Sequence, residues 1–211
     1  MFNLKLITPP ADPVVSVDDL KLYLRVDGSL EDLRIQAMEA AAVKKLEDYT
    51  SIKFVTQTWD VYLNRWPMSS RSQWWGGVRE IALSEIVTPE RAITLPIGIA
   101  QGVSEFSTYS DDAEFTESLS SYVIDVIGNR VRIGLKLSGV WPTTVLRTVN
   151  GIRFRVICGF GDPELVPEDI KMAVKELVAH MYENRGDQNE MKIPAHIFSL
   201  VDGYRRQKLG C

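Results

Sequence analysis

Residues 16–50 read SVDDLKLYLRVDGSLEDLRIQAMEAAAVKKLEDYT and predict two consecutive amphipathic helices. Ser16 followed three positions later by Asp19 is close to a capping box, which satisfies free backbone N–H groups at a helix start. We therefore expect a short first helix that begins at Ser16 and ends at Asp27-Gly28.

The second helix is predicted over residues 30–49, after a repeat of the cap signal at Ser29 and Asp32. Its apolar side chains recur every three or four positions, as on one helix face: Leu33, Ala37, Met38, Ala41, Leu46 and Tyr49. The alanines at 40–42 leave two interpretations open, namely close approach of another helix or simply high helix propensity.

A second helical block is predicted at residues 167–208. Pro167 followed by Glu168 and Asp169 suits a first helical turn, because proline needs no hydrogen-bond acceptor there and acids favour the positive end of the dipole. The stripe that follows is Ile170, Ala173, Val174, Leu177, Val178, Met181 and Tyr182. A last helix is expected from Pro194, with Ile197, Phe198, Val201 and Tyr204 followed by a basic run at 205–208.

Between the helical blocks the apolar period changes to two, which is typical of β-strands. Strands are predicted at 55–63, 80–83, 92–95 and 103–109. Gly128-Asn129 predicts a hairpin joining 122–127 to 130–135, and Asn150-Gly151 a second one joining 144–149 to 152–158, since such turns need positive φ. The fold class is therefore α+β.

In this prediction, N- and C-terminal helices form a helical bundle, and antiparallel hairpins form a β-rich insertion between them. The corresponding boundaries are 1–52 for the N-terminal helical part, 53–162 for the insertion and 163–211 for the C-terminal helical part.

Composition excludes several classes of protein. The net charge of -4 argues against a surface that grips nucleic acid throughout, although it permits a local basic patch. No metal-binding cysteine or histidine cluster, nucleophile motif or phosphate loop is present in the sequence, so we expect no cofactor, no metal and no enzymatic activity. The first residues lack the pattern of a signal peptide, so a protein made and used without export is expected.

Charged residues are segregated in the predicted insertion. Residues 101–126 contain acids but no Lys or Arg, and residues 127–160 contain bases but no acid. The candidate residues for contacts between subunits are Arg130, Arg132, Arg153, Arg155, Glu105, Asp111 and Asp112. Three interpretations stay open: pairing inside one subunit, pairing between subunits, or arginines facing nucleic acid.

Tryptophans mark the predicted loop at 68–78. Trp74 and Trp75 lie within its Ser/Gly-rich sequence, and Trp66 lies just before it. Exposed tryptophans are enriched at interaction hot spots, so Trp74 and Trp75 are candidates for contact with a partner protein or a neighbouring subunit. A glycan- or peptide-binding platform is the alternative.

The chain resembles the head-tail connector, or adaptor, family of tailed bacteriophages and prophages. The resemblance covers nearly the whole chain and is carried by ITPP at 7–10, PVVS at 13–16, LKLYLRVD at 20–27, LEDYT at 46–50, TQTW at 56–59, Trp66-Pro67, GFG at 159–161, VPEDIK at 166–171, HMYENR at 180–185 and Tyr204-Arg205. The loop at 68–78 departs from the family pattern.

That resemblance implies a non-enzymatic virion protein in the neck between capsid and tail, assembled in the host cytoplasm. It implies a homo-oligomeric ring, usually of twelve copies, that binds beneath the portal protein, extends the DNA channel without sequence-specific DNA binding, and docks the next neck or tail-completion protein. No membrane contact is expected. The portal-binding residues implied by the resemblance are Ile197, Phe198, Val201, Tyr204, Arg205 and Arg206. Another neck or tail-completion role is the nearest alternative.

Overall fold

The computed structural model describes residues 2–67, 91–128, 130–185 and 193–205. Over these ranges the chain is α+β, with antiparallel sheets. In chain order the elements are β1 (Phe2–Thr8), α1 (Val17–Leu24), α2 (Asp32–Thr50), β2 (Gln57–Leu63), β3 (Ala92–Leu95), β4 (Ala100–Tyr109), β5 (Glu114–Thr116), β6 (Tyr122–Asp125), β7 (Val131–Leu135), β8 (Ile152–Cys158), α3 (Glu168–Glu183) and α4 (Ala195–Val201).

The start of α1 confirms the predicted cap, because the Ser16 hydroxyl accepts a hydrogen bond from the Asp19 N–H at 3.1 Å. The helix ends earlier than predicted. Arg25 adopts a left-handed conformation with φ 57°, and its N–H donates to the carbonyl of Leu22. The second predicted cap is wrong, since Glu31 precedes α2 and its side chain makes no capping hydrogen bond.

The face predicted for α2 is confirmed at Leu46, which is buried, and in part at Met38 and Tyr49, which pack against the helical core. It is wrong at Leu33, Ala37 and Ala41, which are exposed. Two acids, Glu39 and Glu47, are buried on this helix together with Ile35 and Ala42. These acids are tolerated because their carboxylates accept hydrogen bonds from backbone N–H groups. The inward face of α2 therefore cannot be identified from the apolar residues alone.

Both acids fix neighbouring segments to α2. Glu39 Oε1 accepts from the N–H of Val14 at 2.9 Å and of Val15 at 3.4 Å. Glu47 Oε1 accepts from the Phe54 N–H at 3.0 Å. The chain before α1 and the chain after α2 are thus held by buried carboxylates.

The stripe predicted on α3 is confirmed at its centre. Its buried residues are Ile170, Ala173, Val174, Leu177 and Val178. They share one hydrophobic cluster with buried residues of the other helices, among them Leu20, Leu46, Ile197 and Val201. Residues from the two ends of the chain therefore pack in one core.

Two sheets share the second hydrophobic cluster. One has five strands in the order β1-β2-β8-β4-β5, and the other has three in the order β3-β7-β6. The cluster contains Val61, Phe106 and Phe154 from the first sheet and Ile93 and Ile133 from the second. The sheets therefore bury their apolar faces in a common core.

One predicted hairpin is confirmed and the other is wrong. β6 pairs with β7 in antiparallel register across the turn at Gly128, whose φ is 74°. Residues 144–149 form no strand, because both edges of β8 are occupied by β2 and β4. Asn150 does have a positive φ of 55°, but its N–H donates to the Asn64 side chain at 3.0 Å.

β1 is an element that the sequence analysis missed. It pairs antiparallel with β2, from Phe2 opposite Leu63 to Thr8 opposite Thr58. Every residue of β1 is exposed, because this strand lies at the edge of its sheet. The alternation of Phe2, Leu4 and Leu6 with polar residues was the available signal.

The segment Gly159-Phe160-Gly161 joins the sheet to the helical part. The Gly159 N–H donates to the carbonyl of Ile99 at 2.9 Å, and the Phe160 N–H donates to the carbonyl of Phe54 at 2.9 Å. Gly159 has φ 115°, and a Cβ there would lie 2.5 Å from the backbone of Val55. The close approach of two backbones therefore requires glycine at this position.

Candidate interaction surfaces

One face of the five-stranded sheet is polar, and strand register explains why. β8 alternates between buried and half-buried residues, so Arg153 and Arg155, two positions apart, project from the face opposite the core. Asp60 of β2 and Glu105 of β4 lie directly opposite Arg155 on its two sides. The central strand therefore places cations between acids of its neighbours.

Arg155 has two acidic partners in the same chain. Its Nε donates to Asp60 Oδ1 at 2.8 Å and one terminal nitrogen donates to Asp60 Oδ2 at 3.1 Å, while the other terminal nitrogen donates to Glu105 at 2.7 Å. Asp60 is only 1% exposed. The hydrogen bonds to Asp60 raise the pKa of Arg155 above its ordinary value, so the cation is permanent.

Arg153 extends the network toward β5. It contacts Glu105 at 3.1 Å, Glu114 at 2.8 Å and the Ser107 hydroxyl at 3.0 Å. Burial tends to raise the pKa of Glu114, but hydrogen bonds from Tyr109 and Ser107 and the charge of Arg153 together lower it. Burial and the hydrogen bond to Glu114 raise the pKa of Tyr109 to about 12. Glu114 is thus an ionised acceptor and Tyr109 a neutral donor near neutral pH.

Most of the segregated charged residues that the structure describes therefore form ion pairs inside one subunit. Arg132 also has an internal partner, Asp125, at 2.7 Å. Arg130 is exposed. Asp111 and Asp112 are exposed in the turn between β4 and β5. A role of these seven residues between subunits stays a prediction.

Two of the residues that the resemblance assigns to portal binding lie in the helical core instead of on the surface. Ile197 is 1% exposed and Val201 is fully buried, because α4 turns this face toward α2 and α3. Phe198 and Tyr204 pack partly buried against the same cluster. In this conformation Ile197 and Val201 hold α4 in place and present no side chain to a partner.

The end of α4 is tied to α2 by an aromatic contact. The ring centroids of Tyr49 and Phe198 are 4.4 Å apart, and the Tyr49 hydroxyl donates to Asp202 at 2.5 Å. The Arg205 guanidinium lies over the Tyr49 ring at 4.8 Å. Arg206, Trp74 and Trp75 lie outside the described residues.

Trp66 is a core residue and takes no part in an exposed platform. It is 9% exposed, and its ring stacks on that of Trp141 at a centroid distance of 4.7 Å. Trp141 in turn stacks on Tyr122 at 5.4 Å. This stack packs beside Phe106, so aromatic residues close one end of the core between the sheets.

Apolar side chains are exposed at both edges of the five-stranded sheet. Phe2, Leu4 and Leu6 lie on β1, and Phe115 lies on β5 at the other edge. The sequence analysis named none of these four residues as candidates. Exposed apolar side chains at alternate positions of an edge strand are unfavourable in a monomer and are typical of a contact surface.

Among the described residues no group of His, Cys, Asp and Glu is arranged to hold a metal ion. His196 contacts Glu176 at 3.3 Å, and His180 contacts Asn184 at 3.0 Å. Within the same residues, no helix is both long and apolar enough to cross a membrane.

The fold matches that of solved chains from phage-like particles over nearly its full length. In the neck of an empty gene transfer agent particle, computed with C6 symmetry, one chain superposes with a TM-score of 0.75 at 20% identity, covering 98% of this chain and 97% of that one. A chain from the virion of the native particle gives 0.74 at 20% identity, covering 98% and 96%. A chain from the neck of the native particle, computed with C12 symmetry, gives 0.70 at 19% identity, covering 98% and 97%.

No family model matches the sequence. No curated protein matches it either. The likeness is thus one of fold, found in particles of the kind that the sequence resemblance implies.

Proposed function

We propose that this chain is a structural subunit of the neck of a phage-like particle, where copies of it form the head-tail connector ring. The observation that carries the proposal is the fold likeness over 98% of the chain to a chain in a gene transfer agent neck. Necks computed with C6 and C12 symmetry support repeated copies around an axis, and twelve copies is the number proposed here.

In this role the ring lies beneath the portal and extends the DNA channel. A conduit must let DNA pass, so its wall needs little net attraction for phosphate. The chain carries a net charge of -4, and Arg153 and Arg155 are neutralised by carboxylates of the same subunit. Both facts favour a passage that does not retain DNA.

The helical part, with residues from both ends of the chain, forms the bundle that builds the ring. Buried residues of all four helices share one core, which supports a rigid block. Portal contact is assigned to Arg205 and the residues after it in the sequence, because Ile197 and Val201 are buried inside the subunit. The strand-rich part then faces the next neck or tail-completion protein.

The test is the mass of the purified protein by native mass spectrometry, alone and mixed with a portal ring from the same genome. Assembly to about twelve copies on the portal is the expected result. A protein that stays monomeric and does not bind the portal at micromolar concentrations would overturn the proposal. Arg205→Ala is the informative variant, since it removes a surface charge and leaves the buried residues of α4 unchanged.

A further inference from the structure

Within the described residues, the five-stranded sheet ends in two bare edges, β1 and β5. All seven residues of β1 and all three of β5 are exposed. Edge strands offer unpaired backbone groups to another strand, and monomeric proteins protect them with charges, prolines or bulges. β1 has one charged residue, Lys5, among its seven.

A single row of side chains runs across the sheet from one edge to the other. The register places Phe2 opposite Leu63, Leu63 opposite Ile152, Ile152 opposite Thr108, and Thr108 opposite Phe115. Cross-strand partners lie on the same face, so both phenylalanines belong to the apolar face. The inner members are buried, whereas Phe2 is 38% and Phe115 is 43% exposed.

We infer that copies of this chain join through these edges, with β1 of one subunit beside β5 of its neighbour and the sheet continuing across the boundary. The inference rests on the proposed ring function and adds a contact between neighbouring sheets to the contacts that the helical parts make. Four antiparallel pairings separate β1 from β5, so the two strands run in the same direction. Neighbours related head to tail therefore pair them in parallel.

This contact has the symmetry that a ring needs. One edge of a subunit meets the opposite edge of the next, which is a heterologous interface and closes into a ring when the rotation per step allows it. The row of apolar side chains would continue through the boundary from Phe115 to the neighbour's Phe2. The two exposed phenylalanine side chains would then be buried against each other and removed from water.

The two edges also differ in charge on the polar face. β1 carries Lys5, whereas β5 carries Glu114 and the turn before it carries Asp111 and Asp112. With Phe2 beside Phe115, Lys5 lies four residues along the strand from Glu114, so no direct ion pair forms across the boundary. The opposite charges of the two edges therefore favour their approach and do not set the register.

Disulfide cross-linking tests the contact directly. In a Cys211→Ser background, the double variant Phe2→Cys and Phe115→Cys places two thiols on adjacent strands, about 5 Å apart between Cα atoms and within disulfide range. Cys158 is fully buried and does not compete. After oxidation of assembled protein, a non-reducing gel is expected to resolve a ladder from dimers up to the covalent ring.

The matched control is Asn3→Cys with Phe115→Cys, because Asn3 lies opposite Tyr62 on the polar face. Its thiol points away from that of residue 115, so no ladder is expected. Leu4→Cys with Phe115→Cys covers a register shifted by two residues on the apolar face. Each single variant, oxidised alone, should remain monomeric on the gel.

The outcomes separate this inference from the proposed function. Suppose that native mass spectrometry detects rings, but neither Phe2→Cys nor Leu4→Cys, each combined with Phe115→Cys, gives a cross-linked ladder. This result would overturn the edge contact and would leave the proposed ring function supported. Failure to form any ring would overturn the proposed function and this inference with it. As a second measurement, Leu4→Lys should abolish ring formation while the urea midpoint of the monomer stays unchanged; an intact ring would contradict the edge contact.

Discussion

The Arg155 guanidinium binds the buried Asp60 carboxylate through two hydrogen bonds of 2.8 and 3.1 Å, across two strands that are 95 residues apart in sequence. This pair lies at the centre of the polar sheet face and also reaches Glu105. A buried carboxylate needs its partner, since an unpaired charge away from water is strongly unfavourable.

Arg155→Leu should therefore lower the free energy of unfolding by about 3–5 kcal/mol, because it leaves Asp60 without its cation. The double variant Asp60→Leu with Arg155→Leu should recover most of that loss, since no buried charge remains. Urea unfolding of the single and double variants measures both effects. Arg132→Leu is the control, because its partner Asp125 is near the surface and the expected change is below about 1 kcal/mol. Strictly additive losses at positions 60 and 155 would contradict this description of the pair.

Gly159→Ala should lower the free energy of unfolding by more than about 2 kcal/mol. Its φ is 115°, and the new Cβ would lie 2.5 Å from the carbonyl carbon and oxygen of Val55, which are backbone atoms that cannot rotate away. Gly102→Ala is the matched control, as a Cβ at position 102 meets nothing within 4 Å. Thermal unfolding followed by circular dichroism compares the two, and equal midpoints would show that the junction tolerates a side chain.

Ile197→Ala should destabilise the isolated subunit by about 2–5 kcal/mol, because it empties part of the helical core. His196→Ala, one residue away and exposed, should change stability by less than about 1 kcal/mol. The measurement is urea unfolding in the absence of any partner. If Ile197→Ala left the free subunit unchanged and weakened portal binding alone, Ile197 would be a surface contact as the family resemblance implies.

Cys158 should not react with thiol reagents in the folded protein at pH 8. It is fully buried, and burial raises the pKa of its thiol to about 12, so the reactive thiolate is scarce. In the Cys211→Ser variant, Ellman's reagent should therefore titrate no thiol in buffer and one thiol in guanidinium chloride. Rapid labelling without denaturant would mean that the end of β8 opens readily.

The contribution of Glu39 to the stability of the fold should decrease as pH rises above about 4.5 and its carboxyl group ionises. Burial raises the pKa of Glu39 above its ordinary value of 4.5, although the N–H groups of Val14 and Val15 oppose this. Between 4.5 and the raised pKa, the folded state binds a proton that the unfolded chain has released, so raising pH in that window favours unfolding.

Glu39→Gln keeps an oxygen acceptor for Val14 and cannot ionise. Its stability relative to the natural protein should therefore increase from pH 4.5 toward neutrality and then level off. Urea midpoints of both proteins across this range measure the difference. Parallel curves would show that Glu39 titrates alike in the folded and unfolded chain.

The sequence predicted those features that depend on near neighbours. The stripe from Ile170 to Val178 repeats with the helical period, and Arg153 and Arg155 share a face because side chains alternate along a strand. Features that depend on distant partners escaped prediction. Nothing near Asp60 in the sequence identifies Arg155 as its partner, and the hairpin expected at Asn150 failed because β8 takes its partners from remote strands.

Buried polar groups explain why the predicted face of α2 is only partly right. The inward face of α2 carries Glu39 and Glu47, which an apolar pattern counts as outward residues. The resemblance assigns Ile197 and Val201 to portal contact, whereas their packing against α2 and α3 is visible only once the two ends of the chain are brought together. The candidate residues on β1 were readable from the alternation of Phe2, Leu4 and Leu6.

The backbone junction at Gly159-Phe160-Gly161 has a consequence for accuracy of assembly. Its hydrogen bonds to Ile99 and Phe54 join main-chain atoms, so these two bonds do not depend on the rotamer of any side chain. In the proposed ring of identical subunits, an angular error in one subunit would be repeated in every other and would prevent closure. Main-chain bonds at this junction favour the same angle in every copy, and they can persist while the surrounding amino acids diverge.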